Sequence, residues 1–266
     1  MLLAIDSGNT NVVFALMEGQ EVRAQWRIET NDRRTADEYF VWLSQLAQLQ
    51  GYDLRQVYGV MIANVRPAST FALERLSREH LGHEPLVVGR ENCPVDVNIK
   101  ILRPEQVGAD RLVNAYAAKR LYGGPVILID TGTATTFDIL DQDAAYVGGI
   151  IAPGIHVSAH ALALAAAQLP LVPVEQPQSP IGTDTRSAMQ AGLFWGYVAL
   201  LEGLIDRVQA QMVSEGHAAS ANVPVIATGG LMKILSQGTT RLDRIAPDLT
   251  LEGLALIFEE KRKLEP

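Results

Sequence analysis

The 266-residue sequence has little cysteine: Cys93 is the single one, so no disulfide can form within the chain. A chain without disulfides fits a reducing compartment. Cys93 precedes Pro94 in a loop-like stretch that shows no sign of thiol activation. We therefore expect a structural cysteine in a cytoplasmic protein.

An excess of positive charge is also absent. The chain has 22 basic and 30 acidic residues, a net charge of −8, whereas nucleic-acid-binding proteins usually carry a basic face. The basic run Lys261-Arg262-Lys263 follows Glu259 and Glu260, which is typical of a solvated helix face. We expect no nucleic-acid partner.

Long hydrophobic runs are missing as well. The apolar start ends at Asp6, too early for the long apolar core of a signal peptide, and the apolar segment Ala161–Ala167 is too short to span a bilayer. Hydrophobic residues make up 48% of the chain, enough for one large domain or two ordinary ones. No membrane partner is expected.

Several familiar catalytic motifs do not occur. The sequence has no P-loop stretch, no Gly-x-Gly-x-x-Gly after a strand and no Gly-x-Ser-x-Gly elbow. His156 and His160 lie four residues apart, but no Glu follows His156 as a zinc-protease helix requires. We interpret both histidines as residues of a surface helix.

A duplicated stretch is the strongest positive signal. Ile5-Asp6-Ser7-Gly8-Asn9-Thr10-Asn11 is echoed by Ile129-Asp130-Thr131-Gly132-Thr133-Ala134-Thr135, and apolar runs flank each copy. The pattern predicts a strand, a tight glycine turn and a second strand, with Asp at the tip of the first strand. Either copy alone could be an ordinary hairpin turn, but a matched pair favours a function.

Such turns suit a nucleotide polyphosphate. Gly8 and Gly132 would let a phosphate approach backbone N–H groups with no Cβ in the way. Asp6 and Asp130 would repel phosphate directly but suit a bridging cation. We therefore expect two facing loops that hold a metal–nucleotide complex.

Phosphoryl transfer to an alcohol also needs a carboxylate that accepts the hydroxyl proton. Asp110 lies in Gly108-Ala109-Asp110-Arg111, where Arg111 could hold an anionic substrate. The four residues by themselves favour an exposed helical Asp–Arg pair, which is very common on protein surfaces. Thr228-Gly229-Gly230, at a predicted strand end, would suit the phosphate or ribose side of the nucleotide, although it could be only a turn.

The order of elements predicts an α/β protein with two domains of related topology and a nucleotide cleft between them. We place the boundary near residue 118, within or just after the helix that carries Asp110, giving domains 1–118 and 119–266. In the same interpretation, Pro104 begins that helix and Thr183 caps a long helix that runs to about Val213.

Taken together, these motifs resemble the type III pantothenate kinases, members of the acetate and sugar kinase, Hsp70 and actin superfamily. The resemblance covers nearly the whole chain. The motifs that carry it are Asp6 to Thr10, Gly108 to Arg111, Asp130 to Thr136, Gly148-Gly149 to Pro153-Gly154, Leu169-Pro170, Ile181 to Thr185, Thr228 to Gly230 and Leu251 to Leu254.

The resemblance implies two actin-like (ribonuclease H-like) domains and ATP-dependent phosphorylation of pantothenate, the first step toward coenzyme A. It implies a cytoplasmic homodimer with Mg²⁺ and a monovalent cation, K⁺ or NH₄⁺, as cofactors. The resemblance also implies the site residues, with Asp110 as proton acceptor and Asp130 at the monovalent cation. The residues implied at ATP, with Asp6 on the Mg²⁺ side, are Asp6, Ser7, Gly8, Asn9, Thr10, Asn11, Val12, Val13 and Thr133. Those implied at pantothenate, with Thr185 reaching across the dimer interface, are Gly108, Ala109, Asp110, Arg111 and Thr185.

The sequence departs from this family at Ile101, where many relatives carry a Tyr that contacts substrate. His156 also stands where another polar residue is expected, with no assignable role. Two alternatives stay open: a kinase of the same fold that acts on another small hydroxy acid or sugar, and a nucleotide-sensing regulator that has lost catalysis.

Overall fold

The protein is described by a computed structural model over residues 1–166 and 168–264. The chain forms two compact units. Of the described residues, unit 1 comprises 1–97, 103–117 and 248–264, and unit 2 comprises 98–102, 118–166 and 168–247. Ala167, at the end of the apolar segment noted above, lies outside the described residues.

Unit 1 is built on a mixed five-stranded sheet, in which β1 lies at the centre between an antiparallel and a parallel neighbour. The spatial order is β3-β2-β1-β4-β5. Its strands are β1 (Leu2–Ser7), β2 (Asn11–Glu18), β3 (Glu21–Glu29), β4 (Gly59–Asn64) and β5 (Leu86–Val87).

Helices cover both faces of this sheet. Alternate residues of β1 are apolar on both faces, and they pack into two different clusters of buried side chains. Leu3 and Ile5 face one cluster, and Leu2 and Ala4 face the other. The helices of unit 1 are α1 (Ala36–Leu49) and α2 (Pro67–Arg75) on the first face, and α3 (Ala109–Leu121) and α7 (Leu249–Leu264) on the second.

Unit 2 repeats the arrangement. Its sheet has the order β8-β7-β6-β9-β10, and the long helix α5 packs its buried residues against β6 and β7. The elements are β6 (Val126–Thr131), β7 (Ala134–Leu140), β8 (Tyr146–Pro153), α4 (Ile155–Ala165), α5 (Thr185–Ser214), β9 (Val225–Thr228), α6 (Met232–Leu235) and β10 (Arg244–Ile245).

The two sheets have the same topology. In each, three consecutive antiparallel strands are followed by two strands that add in parallel on the other side of the first. The predicted α/β fold with two related domains is therefore confirmed. The division at residue 118 stays a prediction. The chain passes between the compact units at residues 117 and 118, and it returns α7 to unit 1.

Two predicted helix starts are wrong. Asp184, not Thr183, caps α5, because its carboxylate accepts the Ser187 N–H at 3.0 Å while the Ser187 hydroxyl accepts its N–H. Pro104 opens only a short 3-10 turn. An extended Val107 then ends that turn, and α3 begins at Ala109.

Among the described helices, α5 is long and apolar enough to cross a membrane by length and composition. One of its faces is instead buried in unit 2, where Phe194, Val198, Leu201 and Ile205 pack against the sheet. Such burial is what the core helix of a folded domain shows.

Candidate active site

The first Asp-Gly turn joins β1 to β2 as predicted. Asp6 is partly buried and is paired with Val13 on β2 and Ala63 on β4, so it lies at the carboxyl end of the central strand. Gly8 donates its N–H to the Asn11 carbonyl at 3.0 Å and closes the turn. Asn9 and Thr10 are exposed at the tip.

The side chains of Ser7, Val12 and Val13, in the same stretch, are buried in unit 1. Val12 and Val13 are buried, one in each of the two core clusters of unit 1, and Ser7 is fully buried. The Ser7 hydroxyl lies 3.0 Å from that of Ser69, which in turn donates to the Arg66 carbonyl. Any ligand contact from Ser7, Val12 or Val13 must therefore come from the backbone.

Asp110 lies in the first turn of α3, where the helix dipole and free N–H groups favour a negative charge. Its Oδ1 accepts the Arg111 N–H at 2.7 Å. A Cβ on Gly108 would stand 2.6 Å from that same oxygen and 3.5 Å from Val65 Cγ1. Gly108 must therefore be glycine for the carboxylate to keep this position.

Val65 lies between the Gly108–Asp110 segment and the end of β1 that carries the first Asp-Gly turn. Its N–H donates to the Ser7 carbonyl at 3.1 Å, immediately after β4. The Gly108–Asp110 segment, which packs on Val65, thus lies beside the carboxyl ends of β1 and β4. The structure brings the predicted proton acceptor and the first Asp-Gly turn to one edge of the same sheet.

Burial raises the pKa of the Asp110 carboxyl above its ordinary value, because a charged carboxylate loses hydration there. The Arg111 N–H and the Arg111 charge act in the opposite direction and are the smaller effects. A carboxylate with a raised pKa is a stronger base than an exposed one, which suits a proton acceptor.

The helix that carries Asp110 is held by α7. Thr250 donates to Asn114 at 2.8 Å, and Tyr116 donates to Glu260 at 2.5 Å. Gly253 packs so closely that a Cβ there would lie 2.8 Å from the Val113 carbonyl. The Leu251 to Leu254 motif therefore supports α3 by close packing.

In unit 2, the second Asp-Gly turn joins β6 to β7. Gly132 and Thr133 are exposed at its tip, and Gly132 donates its N–H to the Ala134 carbonyl at 2.9 Å. Gly154, at the end of β8, donates to the Thr133 carbonyl at 3.0 Å. A Cβ on Gly154 would overlap the carbonyls of Gly132 and Thr133, so the Pro153-Gly154 motif supports this turn.

Asp130 is partly buried near the end of β6, where it is paired with Thr228 on β9. Gly229 follows with φ +95°. A Cβ on Gly229 would lie 2.5 Å from the Thr131 carbonyl and 2.7 Å from Asp130 Oδ1. Two oxygen atoms of the kind that bind hard cations therefore lie against a backbone without a side chain.

Thr185 is the first residue of α5 and is exposed. It lines a largely apolar groove of about 490 Å³ in unit 2, together with Ser158 and Leu162 of α4 and Met189 and Leu193 of α5. A polar side chain at the rim of an apolar groove is a common arrangement in ligand and subunit interfaces.

Ile101 belongs to a short segment of unit 2. The preceding residue, Lys100, donates its N–H to the Tyr146 carbonyl at 2.8 Å and its ammonium group to Asp141 at 2.7 Å. Ile101 itself is partly buried. Ile101 directly follows a residue held by two hydrogen bonds, so its side chain occupies a defined place in unit 2.

No group of three or more His, Cys, Asp or Glu residues forms a metal-binding cluster in the described part of the chain. His156 and His160 are exposed on α4, and the buried Cys93 has its pKa raised to about 11 by loss of hydration. A divalent ion that arrives with a nucleotide needs only one or two carboxylates, and Asp6 fits that requirement.

Sequence reasoning missed two supporting residues. Thr30, just after β3, donates its hydroxyl to the Gly8 carbonyl at 2.8 Å and its N–H to the Thr10 carbonyl at 2.9 Å. Tyr197 of α5 is buried, bonds to the Thr135 hydroxyl and donates to the Pro153 carbonyl at 3.1 Å. Neither residue lies in a recognisable motif, and only three-dimensional contacts reveal them.

A family model described as type III pantothenate kinase matches residues 2–207. A type III pantothenate kinase of Phenylobacterium zucineum is 48% identical over 262 residues, which cover 98% of this chain and 99% of that protein. One of Paramagnetospirillum magneticum is 49% identical, with 96% and 95% covered. A crystal structure from Campylobacter jejuni, assigned to the Baf family of transcriptional activators, superposes with a TM-score of 0.60 at 17% identity over 98% of this chain and 99% of its own.

Proposed function

The chain belongs to the type III pantothenate kinase family, and we propose that it transfers the terminal phosphoryl group of ATP to the primary hydroxyl of pantothenate, the first step toward coenzyme A. The observation that carries this proposal is the family match over residues 2–207, a range that includes both duplicated turns and Gly108–Arg111. The relatives that are 48–49% identical extend the similarity over 96–98% of the chain. The enzyme would act in the cytoplasm.

Asp110 is the proton acceptor in this proposal. Pantothenate, held by Gly108, Ala109 and Arg111, would present its primary hydroxyl to the Asp110 carboxylate. The new O–P bond forms as the bond between the γ-phosphorus and the ADP oxygen breaks, and ADP leaves. The hydroxyl proton passes to the carboxylate during this transfer, because an alcohol is too weak an acid to ionise beforehand. The Arg111 N–H keeps Oδ1 fixed at 2.7 Å and so aligns the carboxylate for this task.

The two Asp-Gly turns would hold ATP. Asp6 to Val13 would contact the phosphates, chiefly through the backbone, and Thr133 would contact the nucleotide from unit 2. Mg²⁺ bound by Asp6 and phosphate oxygens would neutralise the charge that develops during transfer. For the monovalent cation, K⁺ or NH₄⁺, we propose Asp130 together with the Thr131 carbonyl, since both lie against Gly229.

Paired turnover assays test the proposed substrate. With Mg-ATP and KCl present, we expect pantothenate to stimulate ADP release, and a panel of sugars and small hydroxy acids to give no increase above the basal rate. Stimulation by another acceptor without stimulation by pantothenate would assign the fold to a different substrate. If the protein binds ATP and no acceptor stimulates ADP release, the result would favour the alternative of a nucleotide-sensing regulator.

We further propose that the enzyme is a homodimer whose interface lies beside Thr185. Large apolar side chains are exposed on α4 and on the chain between α4 and α5: Leu164 at 86%, Ile181 at 78% and Leu171 at 55%. Leu162 of α4, which is 39% exposed, lines the groove together with Thr185. Exposed apolar surface of this kind favours association with another protein surface. A second copy of the chain would cover them and bring Thr185 to the partner's substrate.

Mixed dimers test whether Thr185 acts in the partner's site. Chains with Asp110→Asn and with Thr185→Val are coexpressed with different tags, and the mixed dimer is purified and assayed. If the site is shared, one of the two sites is intact and the mixed dimer recovers about half of the wild-type rate. Both homodimers serve as controls. If Thr185 instead acts within its own subunit, neither site of the mixed dimer is intact. The rate of the mixed dimer would then not exceed that of the Thr185→Val homodimer.

A further inference from the structure

Thr30 holds the first Asp-Gly turn from outside the motif, and its two hydrogen bonds act on the two ends of the tip. The hydroxyl donates to the Gly8 carbonyl at 2.8 Å, and the N–H donates to the Thr10 carbonyl at 2.9 Å. Thr30 is partly buried, directly after β3. The exposed Asn9 lies between the two anchored carbonyls.

The bond to Gly8 fixes a peptide plane. In a trans peptide the C=O and the following N–H point in opposite directions, and the peptide between Gly8 and Asn9 is trans. Because the Gly8 carbonyl points to Thr30, the Asn9 N–H points away from Thr30. If this peptide were to flip, a carbonyl oxygen would replace an N–H group on the opposite side of the tip.

Unit 2 uses the equivalent position for the same purpose. Gly154 follows β8 as Thr30 follows β3, and its N–H donates to the Thr133 carbonyl at the tip of the second turn. Gly154 has no side chain that could make a second bond, and a Cβ there would overlap the turn. The hydroxyl bond is therefore an addition that is specific to the first turn.

We propose that Thr30 is a positioning residue for ATP: its hydroxyl orients the Gly8–Asn9 peptide so that the Asn9 N–H, rather than a carbonyl oxygen, faces the nucleotide phosphates. This inference rests on the proposed function only in that ATP is the ligand of the turn. Thr30 acts through the turn and touches no reacting atom.

The test replaces the hydroxyl by a methyl group of the same size. Thr30→Val is expected to raise the KM for ATP roughly tenfold, because the Gly8 carbonyl loses its partner and the flipped peptide repels phosphate. The KM for pantothenate should stay within about twofold, since Thr30 supports only the phosphate side. Thr30→Ser, which keeps the hydroxyl, should restore nucleotide affinity.

A neighbouring threonine provides the control. Thr35 caps α1 through a bond to the Glu38 N–H, so Thr35→Val should lower the unfolding temperature on the order of a few degrees and leave the KM for ATP unchanged. An unchanged KM for ATP in Thr30→Val, an equal rise in both KM values, or failure of Thr30→Ser to restore affinity would each overturn the proposal.

Direct titration with an ATP analogue separates this proposal from the proposed function. If the wild-type chain fails to phosphorylate pantothenate, the proposed substrate is wrong, yet the weaker binding of the analogue by Thr30→Val can still be measured. If the wild-type chain is active and Thr30→Val binds the analogue as tightly as the wild type, the role of Thr30 is wrong and the proposed function stands.

Discussion

Replacing Asp110 by Asn is expected to lower kcat by roughly 10²- to 10⁴-fold, the usual contribution of a positioned general base. Asn has nearly the same shape but cannot accept the hydroxyl proton. The Gly108 backbone still leaves room for it, and the Arg111 N–H can still donate to its side-chain oxygen. Nucleotide affinity, measured by titration with an ATP analogue, should change little, because the turn at Gly8 is untouched.

Glu105 supplies a matched control. It is exposed in the 3-10 turn just before Gly108, so Glu105→Gln removes a carboxylate from the same region without removing the proposed base. Its kcat should remain within about twofold of the wild-type value, as for most exposed substitutions. An Asp110→Asn enzyme that retained the wild-type rate would show that another group accepts the proton.

The pH dependence gives an independent readout of the same carboxylate. Asp110 must be deprotonated to act, and burial raises its pKa. The rate should therefore fall with decreasing pH at a pKa above the ordinary Asp value of about 3.9. For stability the sign is opposite: the charged form is disfavoured in the folded state. Stability is therefore fully present below the unfolded-state pKa and declines as pH rises through the folded-state pKa. At neutral pH, Asp110→Asn should unfold at an equal or higher temperature.

Most of the fold prediction was based on the two repeated Asp-Gly turns. Apolar runs on both sides of Asp6 and Asp130 fixed the central hairpins, and the same topology in both sheets follows from them. The strand β10 was not predicted, because Arg244–Ile245 is too short for an alternating pattern and pairs with β9 only through tertiary contact. Helix starts failed where two capping residues, Thr183 and Asp184, stand side by side.

The sequence predicted the site residues that belong to motifs, but it did not predict the residues that hold those motifs in place. Asp110 was identified from small neighbours and a following Arg, and the structure adds the reason for Gly108. Thr30 and Tyr197 could not be found in this way, because a hydroxyl at a strand end or on a core helix is common and its partner lies far away in sequence. Such contacts depend on how the strands register with one another.

Replacing Gly229 by Ala is expected to destabilise unit 2, because the added methyl group meets both an unfavourable backbone conformation and a steric overlap. Its φ of +95° is unfavourable for any residue with a Cβ. The added Cβ of Gly229→Ala would also stand 2.5 Å from the Thr131 carbonyl and 2.7 Å from Asp130 Oδ1. Backbone strain and overlap together should cost roughly 2–4 kcal/mol of unfolding free energy. Denaturant unfolding measures this loss.

The same substitution should displace the two oxygen atoms proposed for the monovalent cation. We therefore expect KCl to activate Gly229→Ala only weakly relative to NaCl. At saturating ATP and in KCl, its kcat should be at least roughly tenfold lower than that of the wild type, because the oxygen atoms around the cation are displaced. Gly216 provides a control that has backbone strain but no displaced oxygen atoms. It has φ +75°, and a Cβ added there would have no atom within 4 Å. Gly216→Ala should lose about 1 kcal/mol of stability and keep its response to KCl. If Gly229→Ala kept the wild-type response to KCl, the cation would have to bind away from Asp130.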